Sequence, residues 1–143
     1  MARDYVSIRE EQRGGQTVWT FTTVSHDRLK SAPAKVTRHG NRYSILGAAW
    51  GASIAAVQVR IDNGPWLPAT LYGPPPPRKR SSGYAWRFWT FDWGRGASGE
   101  HRITSRAFDS DGNIQPAPDD PIVASRTTYW ESNGHITRRV LIP

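Results

Sequence analysis

The sequence predicts an all-β fold, a two-sheet antiparallel sandwich of about seven strands with an N-terminal β-ribbon in front of it. Three observations carry the prediction. Short runs rich in Val, Ile, Thr, Tyr, Phe and Trp recur from Tyr5 to Ile142, and these side chains suit a pleated, half-buried surface. Thirteen Gly and eleven Pro punctuate the runs, so the elements are short and joined by turns. No stretch shows the apolar period of an amphipathic helix, and many short strands without helices bury themselves best as two packed layers.

Taken in order, residues 5–9 and 16–23 are β-prone and flank Arg13-Gly14-Gly15, a ribbon with a glycine turn. Val24 to Pro33 is polar without a clear period and reads as a connector. A strand is expected to begin near Ala34 to Arg38, and the next runs from Arg42 to Trp50 through Tyr43, Ile45 and the small residues Gly47, Ala48 and Ala49. Val57, Val59 and Ile61 alternate with Gln58 and Arg60, giving one buried and one wet face. Asp62-Asn63-Gly64 tolerates positive φ, so Trp66 to Leu71 is expected to return as the partner strand.

Pro74 to Pro77 lack the amide donor a central strand needs, and with Arg78 to Gly83 they read as an exposed loop. Tyr84 to Trp93 is aromatic on both alternating sides, Tyr84, Trp86 and Phe88 on one and Trp89, Phe91 and Trp93 on the other, so both faces are expected to be partly covered. After the Gly94 to Gly99 turn, His101 to Phe108 places Ile103, Ser105 and Ala107 inward if Arg102, Thr104 and Arg106 face solvent, or the reverse near Phe108, and alternation leaves both registers open. A proline-rich loop spans Pro116 to Pro121, and Ile136 to Ile142 is the expected last strand.

An apolar fraction of 37% suits one modest core. Seven Trp, five Tyr and four Phe predict a core of few, large side chains. The net charge of +7 raises the question of phosphate contact. Lys and Arg, however, recur singly apart from Arg78, Lys79 and Arg80, with no basic helix to present a stripe, so no nucleic acid partner is expected. The chain has no cysteine, hence no disulfide, thiolate nucleophile or thiolate metal ligand, and its compartment is left open. No apolar run approaches the roughly 18 residues of a membrane span, and Met1 to Tyr5 lack the apolar stretch of a signal peptide, so a soluble chain without membrane contact is expected.

His26, His39, His101 and His135 show no metal-ligand spacing, so no metal site is expected. Asp109-Ser110-Asp111-Gly112-Asn113 starts like a calcium loop with Asp120 at its twelfth position. Ile114, however, stands where that loop needs Gly, and the segment reads as a β-turn. No nucleophile elbow is present, and Asp119-Asp120 reads as a solvated turn, so no catalytic residue is assigned.

Five motifs occur in order: Gly47-Ala48-Ala49-Trp50-Gly51, Asp62-Asn63-Gly64-Pro65-Trp66, Ala85-Trp86-Arg87-Phe88-Trp89, Ser105-Arg106-Ala107-Phe108-Asp109 and Gly112-Asn113-Ile114-Gln115-Pro116. Together they resemble the C-terminal dimerisation domain of sulfite oxidase-like molybdenum cofactor (molybdopterin) oxidoreductases. That family's pattern is G-x-A-W, a strand ending in D-G-G-x-x-W, an A-W-x-x-W strand, a K/R-A-x-D strand end and N-x-Q-P. Each motif is weak alone; in sequence they cover roughly Lys30 to Pro143. Asn63-Gly64-Pro65 makes the turn one residue shorter than the pattern, which is expected to alter the turn and keep the pairing. The tail from Tyr129 to Gly134 with Arg138-Arg139-Val140 looks like the bacterial branch.

The resemblance implies an immunoglobulin-like sandwich of the E-set type over residues 31–143, with residues 1–30 as a ribbon and connector. It implies a non-catalytic homodimerisation domain whose other partner is a separate molybdopterin-binding catalytic domain, where a cysteine ligates molybdenum. This chain, lacking cysteine, is expected to bind no cofactor itself. The family's arginine that reaches the anionic substrate pocket falls, by its interval from Gln115, on Arg126; a guanidinium stays charged and offers paired donors. An ordinary exposed or ion-paired arginine is the competing reading. Trp50, Trp66, Trp86 and Trp89 are expected in the core between facing sheets, with a partner-facing surface as the alternative. Arg106, Asp109, Asn113 and Gln115 complete the motif residues, and the Gln115 amide is expected to tie down the following loop. The rival function is a stand-alone sandwich that binds carbohydrate or polyanion through exposed aromatic and basic residues.

Overall fold

The computed structural model describes residues 6–23, 28–73, 86–125 and 132–143. Strands β1 (Val6–Arg13) and β2 (Gln16–Thr23) form an antiparallel ribbon that turns at Gly14 and Gly15, both at positive φ. The first strand runs past the expected 5–9 because the pairing continues to Arg13 opposite Gln16. The remaining strands form two four-stranded sheets. One contains β3 (Lys30–His39), β4 (Arg42–Trp50), β7 (Thr70–Tyr72) and β8 (Arg87–Gly94), in the order β3-β4-β8-β7. The other contains β5 (Ile54–Ile61), β6 (Leu67–Pro68), β9 (Gly99–Asp109) and β10 (Ile136–Ile142), in the order β10-β9-β5-β6. All pairings are antiparallel, and the strand order is that of an immunoglobulin sandwich whose second sheet carries one extra short strand.

Three segments depart from the sequence expectation. Lys30 to Pro33, expected as connector, already pair with β4, and the ladder shifts between Pro33 and Lys35. Proline lacks a ladder donor, and β3 is an edge strand where a bulge absorbs that lack. The return strand expected over Trp66–Leu71 is split. Only Leu67 and Pro68 pair with β5, and Thr70 to Tyr72 then join β8 in the opposite sheet. Pro68 cannot extend the first ladder, and this switch raises the sandwich from seven strands to eight. A helical turn, α1 (Pro121–Ala124), stands in the proline-rich loop; Asp120 caps it by accepting from the Ile122 N–H at 2.9 Å, and Pro121 suits its first position.

The core also differs from the aromatic one expected. Among the described residues it is largely aliphatic, built from Leu29, Ile45, Ile54, Val57, Val59 and Ile103 with Ala49 and Ala107 around the buried indole of Trp89, with the partly buried Phe91 and Trp93 packed against it. Trp89 is fully buried because it lies opposite Gly47. A Cβ at Gly47 would collide with the indole and with the Ala32 carbonyl. In β9, Ile103, Ser105 and Ala107 are buried, the first of the two registers that the sequence left open, and Thr104 between them is buried as well. No described helix is long and apolar enough to cross a membrane.

Candidate interaction surfaces

Gln115 is a fully buried polar residue among the motif positions. Its backbone N–H donates to the Ala107 carbonyl at 2.9 Å, which fixes it beside β9. Its side-chain Oε1 accepts from the Ser31 N–H at 2.9 Å, the Ser31 hydroxyl at 3.2 Å and the Ala107 N–H at 3.2 Å, while Nε2 donates to the Gly134 carbonyl at 2.9 Å. Ser31 belongs to one sheet and Ala107 to the other, so one amide joins both layers and anchors the segment entering β10. The Ser31 hydroxyl also donates to Ser105 Oγ at 2.8 Å, which extends the polar bridge across the layers.

Asp109 and Asn113 close the preceding turn. The Asp109 carboxylate accepts from the Asp111 N–H, the Asn113 N–H and the Asn113 side-chain amide at 3.0, 2.8 and 2.9 Å. Both oxygens are thus used inside a β-turn, as the departures from a calcium loop indicated. Beside this turn lies an open hollow of about 520 Å³, bordered by Arg28, Gly51, Asn113, Pro116, Asp120 and Asn133. Arg126 lies outside the described residues.

The outer face of β3-β4-β8-β7 carries aromatic rings. The rings of Trp50 and Trp86 stack with centroids 4.7 Å apart and planes 15° from parallel. Tyr72 and Phe88 stack at 5.9 Å and 24°. Pairing of Ala48 with Phe88 and of Phe88 with Tyr72 puts the two stacks side by side, since Trp50 and Trp86 each lie two residues along from that row. Trp86, Phe88 and Tyr72 are 58%, 49% and 44% exposed.

The outer face of the other sheet is cationic. Trp66, just before β6, lies beneath two guanidiniums, those of Arg106 at 4.2 Å and Arg60 at 4.8 Å from its ring centroid. Arg106 also donates through Nε and Nη2 to Gln58 Oε1 at 2.9 and 2.7 Å. The His135 ring meets Trp66 edge-on at 5.3 Å, and its Nε2–H donates to the Gln115 carbonyl at 2.8 Å, because a carbonyl can only accept. Burial, then the Arg106 and Arg60 charges, depress the His135 pKa, against opposing effects of the Gln115 bond and Asp119. At the far end of the sandwich His101 behaves oppositely. Its ring nitrogens meet Asp62 Oδ2 at 2.9 Å and the Ala97 carbonyl at 2.8 Å, and these contacts raise its pKa.

Residues 17–135 match the model of the Mo-co oxidoreductase dimerisation domain, from within β2 to the residue before β10. The chain belongs to this dimerisation-domain family. No curated protein matches it. Within the dimerisation domain the four motif tryptophans occupy three different environments: Trp89 is core, Trp50 and Trp86 form an outer stack, and Trp66 underlies the arginines. Only Trp89 therefore fills the core role expected of all four. Arg106 joins Trp66, Asp109 joins Asn113, and Gln115 joins the layers. Sequence reading missed Arg60, His135 and Ser31 as members of these clusters. The outward alternation of Arg60 was a usable signal, whereas the reach from Ser31 to Gln115 left none.

Proposed function

We propose that this chain is the non-catalytic pairing domain of a sulfite oxidase-like molybdenum-dependent oxidoreductase, and that two copies associate through the outer face of β3-β4-β8-β7. The observation that carries the reading is the side-by-side pair of aromatic stacks, on a chain whose family is one of dimerisation domains. Aromatics are enriched in interface cores, and four such side chains on each of two copies bury on the order of 1,000 Å², near the lower bound for a stable contact. A two-fold axis would place the same patch on both sides.

The residues present do not fit the molybdenum cofactor. The chain has no cysteine, and the described residues hold no cluster of three metal-ligating side chains. The molybdopterin-binding catalytic domain is therefore a separate partner in this reading. Arg126, two positions beyond the end of α1, is the guanidinium assigned to the substrate anion in the intact enzyme; Arg126→Gln there is expected to raise KM for an anionic substrate more than it lowers kcat. The tail from Tyr129 to Gly134 supports the bacterial branch.

Size-exclusion chromatography with light scattering tests the pairing. Wild type is expected at twice the 16.0 kDa chain mass, and Trp86→Ser combined with Phe88→Glu as a folded monomer. A dimer that survives the double substitution would remove this face from the proposal, and a strict wild-type monomer at high micromolar concentration would remove autonomous pairing.

A further inference from the structure

The cationic face of β10-β9-β5-β6 lies on the other side of the sandwich from the proposed pairing surface. Arg60 and Arg106 lie diagonally across β5 and β9, because Gln58 faces Arg106 and Arg60 faces Thr104. Elsewhere the described guanidiniums of Arg42 and Arg139 have acids, Asp92 at 2.7 Å and Glu100 at 3.8 Å. Among the described residues neither Arg60 nor Arg106 has a carboxylate within ion-pair distance. Arg106 is bonded only to a neutral amide oxygen, and the Arg60 Nε is buried without an acceptor. Both guanidiniums lie against the same indole, which holds them together despite their like charge. The two guanidiniums therefore form a preorganised positive pair that lacks a carboxylate partner, with His135 beside it; the enclosed Arg60 Nε is a buried donor, and the terminal nitrogens of the two groups are the ones left for a ligand.

We propose that Arg60, Arg106 and His135, arrayed around Trp66, form a binding site for an oxyanion of the carboxylate or sulfate type. The indole fixes the two guanidinium planes, and the anion takes the donors that Gln58 leaves free. The charged groups facing His135 are Arg106 from β9, Arg60 from β5 and Asp119 from the loop before α1. A bound anion offsets the two arginines, so binding and protonation of His135 at Nδ1 favour each other. The proposal is independent of which surface pairs two copies.

The test is a titration with sodium sulfate and, separately, sodium acetate at constant ionic strength held with chloride, followed by NMR of the Arg60 and Arg106 Nε–H and the His135 ring signals. Expected are saturable shifts at these residues, tighter at pH 6 than at pH 8, with affinity reduced roughly tenfold or more in Arg60→Gln and in Arg106→Gln and unchanged in Arg139→Gln. The His135 pKa is expected to rise on saturation. Saturation by sulfate alone assigns the site to a tetrahedral dianion, and saturation by acetate as well assigns it to carboxylates too. Linear shifts no larger than those given by chloride would overturn the proposal, as would equal affinity in wild type and Arg60→Gln, a substitution that leaves the Gln58–Arg106 bond in place.

Discussion

Gln115→Leu should be the most damaging single change outside the aliphatic core. Leucine has nearly the volume of glutamine, so the effect isolates the polar bridge. The substitution strips two buried backbone N–H groups, those of Ser31 and Ala107, and the Gly134 carbonyl of their side-chain partner. The Ser31 hydroxyl keeps its bond to Ser105 and adds little. Each orphaned buried group costs about 1–3 kcal/mol, partly offset by the apolar gain of leucine, for a net loss of roughly 3–5 kcal/mol. With about 2.1 cal/mol/K of unfolding entropy per residue, a domain of this length loses about 10–17 °C in Tm. Thermal unfolding followed by circular dichroism, with urea unfolding at 25 °C for ΔG, measures it. A Tm within about 3 °C of wild type would mean that water or a backbone shift satisfies these groups, and the bridge between layers would not be a principal source of stability.

Gly47→Ala is expected to destabilise by about 1–3 kcal/mol or more, since its Cβ meets Trp89 and the Ala32 carbonyl; unchanged urea stability and Trp89 near-ultraviolet dichroism would refute the close fit. The Asp62–His101 pair fixes a pH dependence. His101 is raised, chiefly by its hydrogen bond to Asp62, so its contribution is complete below its ordinary 6.5 and is lost as pH climbs through the raised value. Asp62 is lowered, chiefly by the Arg102 N–H and then by His101, so its contribution is present above 3.8 and is lost as pH falls through the lowered value. The pair should thus stabilise most between 3.8 and 6.5, and His101→Gln should flatten the fall in Tm between pH 6 and pH 8.5; equal slopes would refute it. By NMR, His101 should titrate above 6.5 and His135 below it, and the reverse order would contradict the assigned contacts.

Alternation made much of this fold legible. Val59, between Gln58 and Arg60, is buried because polar neighbours leave one choice of face, whereas in β9 the apolar Phe108 left two registers open for Ile103, Ser105 and Ala107. Around Trp89 the same logic gave no sign, because Trp86 and Phe88 on one side and Trp89 and Phe91 on the other are equally apolar. Gly47, across the ladder, decides it by leaving room for only one ring. The start of β3 was hidden because Ser31 looks exposed in sequence and is buried only by virtue of Gln115, 84 residues away. The split of the return strand was readable in Pro68, although its destination in the other sheet was not. For the candidate surfaces, motif order yielded Trp66 and Arg106 as separate marks, and only the register brought Arg60 to the same indole.

The two outer faces differ in what a second copy would meet. On β3-β4-β8-β7 the rings of Trp50 and Trp86 and those of Phe88 and Tyr72 form two stacks with no described guanidinium over them, so their desolvation removes mainly apolar surface. On β10-β9-β5-β6 the Trp66 ring is already covered by Arg60 and Arg106. A two-fold contact through that face would bring four guanidiniums together and bury them without counter-charge, a cost of several kcal/mol per ion. In the proposed arrangement self-association therefore uses the aromatic face, and the charge of the cationic one opposes pairing there and leaves it open to a negatively charged group.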